Sequence, residues 1–343
     1  MKVGITSYPM LWQRTGGLQV QIRHTIHSLR RIGVDAEVID IYNEKISDFD
    51  IVHVFSATHG MYLTLQEARL QGVKTVVSPV FQPDMNLYKY KKFRVASWLL
   101  RQITSNEVKS SYDYIGSALH TADRIIALSE KEWAVIEIGY DIKKEKISLV
   151  GNGVDPHYFE STADHFVKNS SLDTGFVLIV GSISSFKNQL GVIRATNRNI
   201  VLVGQILDHG YFDQCRAEAG ERLTYLGTFD FNDPYLGSIY AAAGVTVLAS
   251  AGEAFGLTVV ESLAAGTPAI ITEKNGLGLR PQPPYLQFVD SYNSMLLNAA
   301  IEKSLGVGFD RREKCRGMVQ HMSWDNVAKD LLRIYNETIT RGD

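Results

Sequence analysis

Short apolar runs rich in β-branched residues alternate with segments of helical period along the whole chain. Six runs fall in the first half, at 3–6, 36–41, 51–55, 74–78, 124–128 and 147–150. Six more fall in the second, at 176–180, 200–204, 223–226, 245–249, 268–272 and 286–289. Several are apolar without interruption, the pattern of parallel strands buried on both faces. Strand and helix in alternation predict a doubly wound α/β architecture. The alternation breaks between Asn152 and Thr174, where residues 162–174 are polar and aperiodic and read as a linker. The expectation is two Rossmann-like domains, one within 1–165 and one within 172–324. In open α/β sheets ligands bind beyond the carboxyl ends of the strands, so a cleft faced by the two domains is the expected site.

Composition adds limits. A chain of 343 residues exceeds one ordinary core, in agreement with two domains. A net charge of -2 gives no electrostatic ground for a nucleic-acid partner. Cys215 and Cys315 are far apart in unrelated segments and form no CxxC or disulfide framework, which fits a reducing, cytoplasmic compartment. No apolar run approaches the ~20 residues of a membrane-spanning helix.

The most informative segment is Glu253-Ala-Phe-Gly-Leu-Thr-Val-Val-Glu261. It follows the apolar run 245–249 and ends in Ala264-Ala265-Gly266-Thr267-Pro268, so it reads as strand, glycine turn, short helix, glycine stop. A helix opening at Phe255, Gly256, Leu257 and Thr258 leaves N–H groups aimed out of the strand end, where an anion is favoured. A regular helix would separate the two carboxylates by roughly 12 Å. Taken alone, the turn reads equally as a solvent-facing cap with Glu253 beside the dipole; the second acid, the glycine stop and the late-strand position favour function.

Weaker signals surround it. Gly181 and Ser182, followed by Lys187-Asn188, come directly after the run 176–180, where a phosphate loop would sit. The spacing is not that of a P-loop, and a glycine–serine turn with a surface lysine is common. Gly16-Gly17 occupies the equivalent loop after the first strand, and alone is more simply a turn pair. Asp48-Phe-Asp50 has DxD spacing, but Asp50 reads better as a strand opener, and no metal site is expected. His53, His59 and His120 read more simply as core or loop residues than as catalysts, although His53 and His59 carry some weight because they follow or lie in a strand that points at the expected cleft. In residues 88–101 bases and aromatics share a helical period, with Lys91, Arg94, Trp98 and Arg101 on one face. Such a helix can lie on an anionic membrane, although an amphipathic surface helix with solvated lysines is the simpler reading.

Together these residues resemble the retaining glycosyltransferases of family 4, the group-1 class with a GT-B fold. The resemblance covers essentially the whole chain. It is carried by Glu253 to Glu261, the Gly16-Gly17 loop, Asp50-Ile-Val-His53, residues 122–129, Asn152-Gly-Val-Asp155, Lys187-Asn188 and Ser323-Trp324. It implies that Glu253 bonds the donor's sugar hydroxyls and that Glu261 holds the ribose. It further implies that Lys187 and the N–H groups of Phe255, Gly256 and Leu257 stabilise the leaving diphosphate, approached by the Gly16-Gly17 loop. The last segment, 325–343, would cross back onto the first domain. Two departures stand out: Ser182 replaces the family's usual arginine, and Ser78-Pro79-Val80-Phe81 carries no histidine where many members have one. The implied reaction is transfer of a sugar from a UDP- or GDP-sugar to a glycan or lipid-linked acceptor, with retention and without metal or other cofactor, in cell-surface glycan assembly. A non-catalytic nucleotide-sugar-binding protein and a sugar-nucleotide epimerase of the same fold remain alternatives. The cytoplasmic face of the membrane is the alternative location if the basic helix touches lipid.

Overall fold

The computed structural model describes residues 1–13, 16–81, 87–105, 107–230, 232–308 and 311–340. The chain divides into two compact units, Met1–Asn152 with Trp324–Asp343, and Gly153–Ser323.

The first unit is built on a parallel sheet of order β2-β1-β3-β4-β5-β6, formed by β1 (Lys2–Thr6), β2 (Asp35–Val38), β3 (Ile51–Phe55), β4 (Lys74–Ser78), β5 (Arg124–Ala127) and β6 (Ile147–Leu149). Every residue of β3 is buried, as the uninterrupted apolar run requires. The edge strand β2 stops at Val38, short of the expected 41. Asp40 turns the chain there: its carbonyl accepts from the N–H of Asn43 and Glu44, and its carboxylate from the N–H of Tyr42. The helix Trp324–Thr340 completes this unit, burying Trp324, Ala328, Leu331, Ile334 and Tyr335 at helical spacing. Trp324 stacks on His24 of the Gly17–Arg31 helix with ring centroids 4.9 Å apart.

The second unit holds a parallel sheet of order β12-β11-β10-β7-β8-β9. Its strands are β7 (Val177–Val180), β8 (Ile200–Val203), β9 (Leu223–Tyr225), β10 (Val245–Leu248), β11 (Ala269–Thr272) and β12 (Leu286–Val289). The chain runs outward from β7 through β8 to β9, then returns to the other side of β7 at β10. That reversal is the topological switch point where doubly wound sheets bind ligands. The corresponding reversal in the first unit lies between β1 and β3.

The stretch that reads as a linker is folded. Residues Asp164–Asn169 form a helical turn, Phe166 is fully buried, and its N–H donates to Ser238 Oγ at 2.8 Å. One large apolar side chain in a polar segment is enough to anchor it against the Pro234–Ala242 helix, so the second unit begins at Gly153.

Candidate active site

The loops after β7, β10, β11 and β12 meet at the carboxyl end of the second sheet. After β7 the chain turns at Gly181, forms a single helical turn at Ser185–Lys187, and takes a left-handed conformation at Asn188 (φ 55°). The Asn188 amide donates to Ser291 O beyond β12 at 3.0 Å, and Phe186 O accepts from the N–H of Ala251 beyond β10 at 2.8 Å. These bonds fix where Lys187 points. Close packing beneath the loop leaves no choice at Gly204: a Cβ there would lie 2.0 Å from Gly181 O.

Glu253 is held from the other side. Its N–H donates to Lys274 O and its carbonyl accepts from Gly276, both at 2.9 Å, tying it to the loop after β11. Its Oε1 lies 2.5 Å from Lys187 Nζ, and Ser250 Oγ donates to the same oxygen. Both charged side chains are largely buried, at 22% and 13% exposed, so water screens the pair little.

Gly256 adopts φ 97° and caps the helix Leu257–Ala264. The helix opens at Leu257, within the expected opening and after the expected glycine turn; Glu253 sits on a loop and Glu261 lies about one turn into the helix, so the ~12 Å rise of a regular helix over the whole interval does not apply. The cause is Gly256, whose left-handed backbone breaks the helix, and whose absent side chain avoids Ile271 Cδ1, 2.8 Å from where a Cβ would stand. Phe255 is buried and packs, Leu257 and Thr258 are half-buried, and Thr258 Oγ1 is a buried atom without a hydrogen-bond partner.

Glu261 is buried and accepts a 2.7 Å hydrogen bond from Tyr240 Oη. Burial raises its pKa to about 7, opposed by the tyrosine and by nearby His157. His157 Nδ1 lies 2.9 Å from Asp155 Oδ1, while its buried Nε2 has no partner among the described residues. This polar cluster was not singled out from the sequence; the Asp155-Pro156-His157 turn, in which Asp155 caps the His157 N–H, is the local signal for it.

The remaining candidates resolve differently. Gly16 is extended (φ -177°), a geometry open to any residue, and caps the helix beginning at Gly17; a Cβ on Gly16 would meet nothing within 4 Å. Ser182 contributes its carbonyl, which accepts from Gln189 Nε2 at 2.9 Å. His53 is a core residue: Nδ1 lies 2.7 Å from Tyr335 Oη, Nε2 2.8 Å from Ser78 Oγ, and burial lowers its pKa to about 3. The side chain of His59 lies outside the described residues. Asp50 accepts from the N–H of Lys2 at 2.6 Å and pairs with the N-terminal amine, a structural role joining the amino ends of β1 and β3. Among the described residues, no three or more His, Cys, Asp or Glu side chains gather as a metal site would require.

Residues 160–305, which contain this loop cluster, match the family model for glycosyl transferases group 1. Through this segment the chain resembles the glycosyl transferases group 1. Over its whole length it is similar to the D-inositol 3-phosphate glycosyltransferase of Corynebacterium urealyticum, at 24% identity, covering 95% of this chain and 91% of that protein. It is 21% identical to an uncharacterised glycosyltransferase of Methanocaldococcus jannaschii, covering 98% of both. The chain also shares its fold with solved structures. Sucrose-phosphate synthase of Thermosynechococcus elongatus superposes with a TM-score of 0.72 at 18% identity, covering 99% of both chains. WaaG, a glycosyltransferase involved in lipopolysaccharide biosynthesis, superposes with a TM-score of 0.66 at 14% identity, covering 98% of this chain and 99% of that one. Two parallel six-stranded α/β units with these neighbours make the fold GT-B.

Proposed function

We propose that this glycosyltransferase moves a sugar from a nucleoside diphosphate donor to an acceptor hydroxyl with retention at the anomeric carbon. The observation that carries the reading is the buried Lys187–Glu253 pair beside the N-terminus of the Leu257–Ala264 helix, at the switch point of the second sheet. Glycosyl transfer needs positive charge on the departing diphosphate and fixed acceptors for sugar hydroxyls. Lys187 and the helix N–H groups supply the first, and Glu253 supplies the second. A diphosphate competes with Glu253 for Lys187, which frees the carboxylate to accept from the sugar.

In the reaction, the bond from the anomeric carbon to the diphosphate oxygen breaks while the acceptor oxygen bonds the same face. The acceptor's proton passes to the departing phosphate oxygen. Glu261, with its lone pairs shared between Tyr240 and the ligand, is assigned to the ribose. The assignment of Gly16 and Gly17 to the diphosphate rests on the resemblance. The acceptor is a glycan or lipid-linked glycan in cell-surface assembly, met on the cytoplasmic side.

A panel of UDP- and GDP-sugars, scored by nucleoside diphosphate release and by the anomeric configuration of the product, tests this reading. Inverted product would remove the same-face step. Donor binding in a calorimeter with no release for any donor–acceptor combination would leave a nucleotide-sugar-binding protein, and interconversion of the donor sugar an epimerase.

A further inference from the structure

The helix Leu87–Ile103 is the least covered long helix of the first unit: of its 17 residues only Ser97 is buried. One side is docked. Ser97 Oγ bonds Ser110 Oγ and Asp113, Arg101 Nε lies 3.5 Å from Asp113 Oδ1, and Tyr90 packs against Tyr140 with centroids 5.6 Å apart. The opposite side carries large exposed apolar groups, with Lys92 Nζ 4.6 Å from the Tyr88 ring centroid. Tyr88 is 66% exposed, Val95 58%, Trp98 53%, Leu99 47% and Ile103 82%.

On a helix of 3.6 residues per turn, Tyr88, Val95 and Leu99 lie within about 40° of one another, with Trp98 and Ile103 bordering them. Lys91 and Lys92 stand at the two edges of that stripe. The helix holds five bases, Lys89, Lys91, Lys92, Arg94 and Arg101, and no acid. The arrangement differs from the face expected from the sequence, since Arg101 is turned inward onto Asp113.

We infer that the Tyr88–Val95–Leu99 face, with Lys89, Lys91 and Lys92 around it, docks the protein on an anionic lipid bilayer. An apolar stripe between lysines is the form that lies in a membrane interface: rings and aliphatic groups enter the headgroup boundary while lysine stems reach up to anionic headgroups. A folded protein partner would need acids opposite the lysines and a matching apolar face; a bilayer rich in anionic lipid supplies both without shape. The helix has neither the length nor the apolarity to span, in common with every described helix of the chain. This docking is independent of the transfer chemistry.

The test is sedimentation of the full chain with vesicles of phosphatidylcholine alone and of phosphatidylcholine containing about a third phosphatidylglycerol. The wild type is expected to partition onto the anionic vesicles and not onto the neutral ones. Combining Lys89→Gln, Lys91→Gln and Lys92→Gln should lower that partition on the order of a hundredfold, and Val95→Ser with Leu99→Ser should lower it without changing charge. These residues are exposed, so thermal melts should match wild type, and donor turnover with a soluble acceptor should not move. Equal partition onto both vesicles, or no effect of the lysine changes, would overturn the docking. So would a dimer by light scattering that Leu99→Ser dissociates, which would show a second copy on this face. Failure of turnover in the wild type would sink the transfer reading and leave the docking standing.

Discussion

Lys187 Nζ and Glu253 Oε1 lie 2.5 Å apart although 66 positions separate them in the chain. The contact crosses the switch point of the second sheet, and each partner is held by backbone bonds from loops it does not belong to. The two side chains are therefore brought together by the fold of these loops.

Removing either member leaves the other charge partly buried without its partner. Lys187→Ala and Glu253→Ala are each expected to lower kcat by about a hundredfold or more, with the double variant little worse than the worse single one because the two act as a unit. Steady-state kinetics with a melt of each variant checks this. Near wild-type turnover in Lys187→Ala would contradict the assignment.

Glycine positions separate packing from ligand approach. Gly204→Ala, with φ 140° and a Cβ that would meet Gly181 O, should destabilise the second unit by about 3 kcal/mol or more. Gly16→Ala meets open space in an extended backbone and should change stability by less than ~0.5 kcal/mol. If a donor approaches Gly16, the same change raises the donor KM. Urea titrations and donor KM values give both readings.

The buried acids set a pH dependence. Burial holds Glu132 and Glu261 at a pKa of about 7, above the ordinary 4.5. The native state then binds protons that the unfolded chain has released, so each stabilising contribution is complete below about 4.5 and is lost as pH rises through 7. Each is worth up to ~3 kcal/mol. Glu261→Gln keeps an acceptor for Tyr240 and should flatten the fall in stability between pH 5 and 8 relative to wild type. Parallel stability curves would show that Glu261 is ionised throughout.

Tyr335→Phe removes the hydroxyl that meets His53 Nδ1 in a fully buried setting. The expected cost is about 1–3 kcal/mol, from one unsatisfied ring nitrogen, with no change in kcat. A kinetic effect larger than the stability effect would give His53 a functional role.

All twelve strands were legible from the sequence, several of them, such as β8, because parallel strands buried on both faces are written as uninterrupted apolar runs. The residues of the candidate site were legible too, since glycine turns and paired acids after strands are local patterns. What they touch was not. The Glu261–Tyr240 bond, the Asp155–His157 pair and the inward turn of Arg101 onto Asp113 join positions whose spacing carries no local period. His53 is the core residue that the simpler reading made it, and its partners, Ser78 and Tyr335, show what occupies a polar ring in a buried strand. How far Glu261 lies into its helix was not legible, because a left-handed glycine and a helical one are the same letter.

The return of the Trp324–Thr340 helix to the first unit has a consequence for how the chain is made. The second unit is one continuous stretch, Gly153–Ser323, whereas the first needs both ends of the chain. On a ribosome the later-encoded unit can complete its sheet while the earlier one still lacks the surface that covers His24 and His53. The usual order of domain maturation, amino-terminal first, is therefore reversed here: the amino-terminal unit waits, with a buried face open to solvent, until the last helix emerges. A nascent chain stalled before Trp324 should protect the second unit from protease and leave the first susceptible.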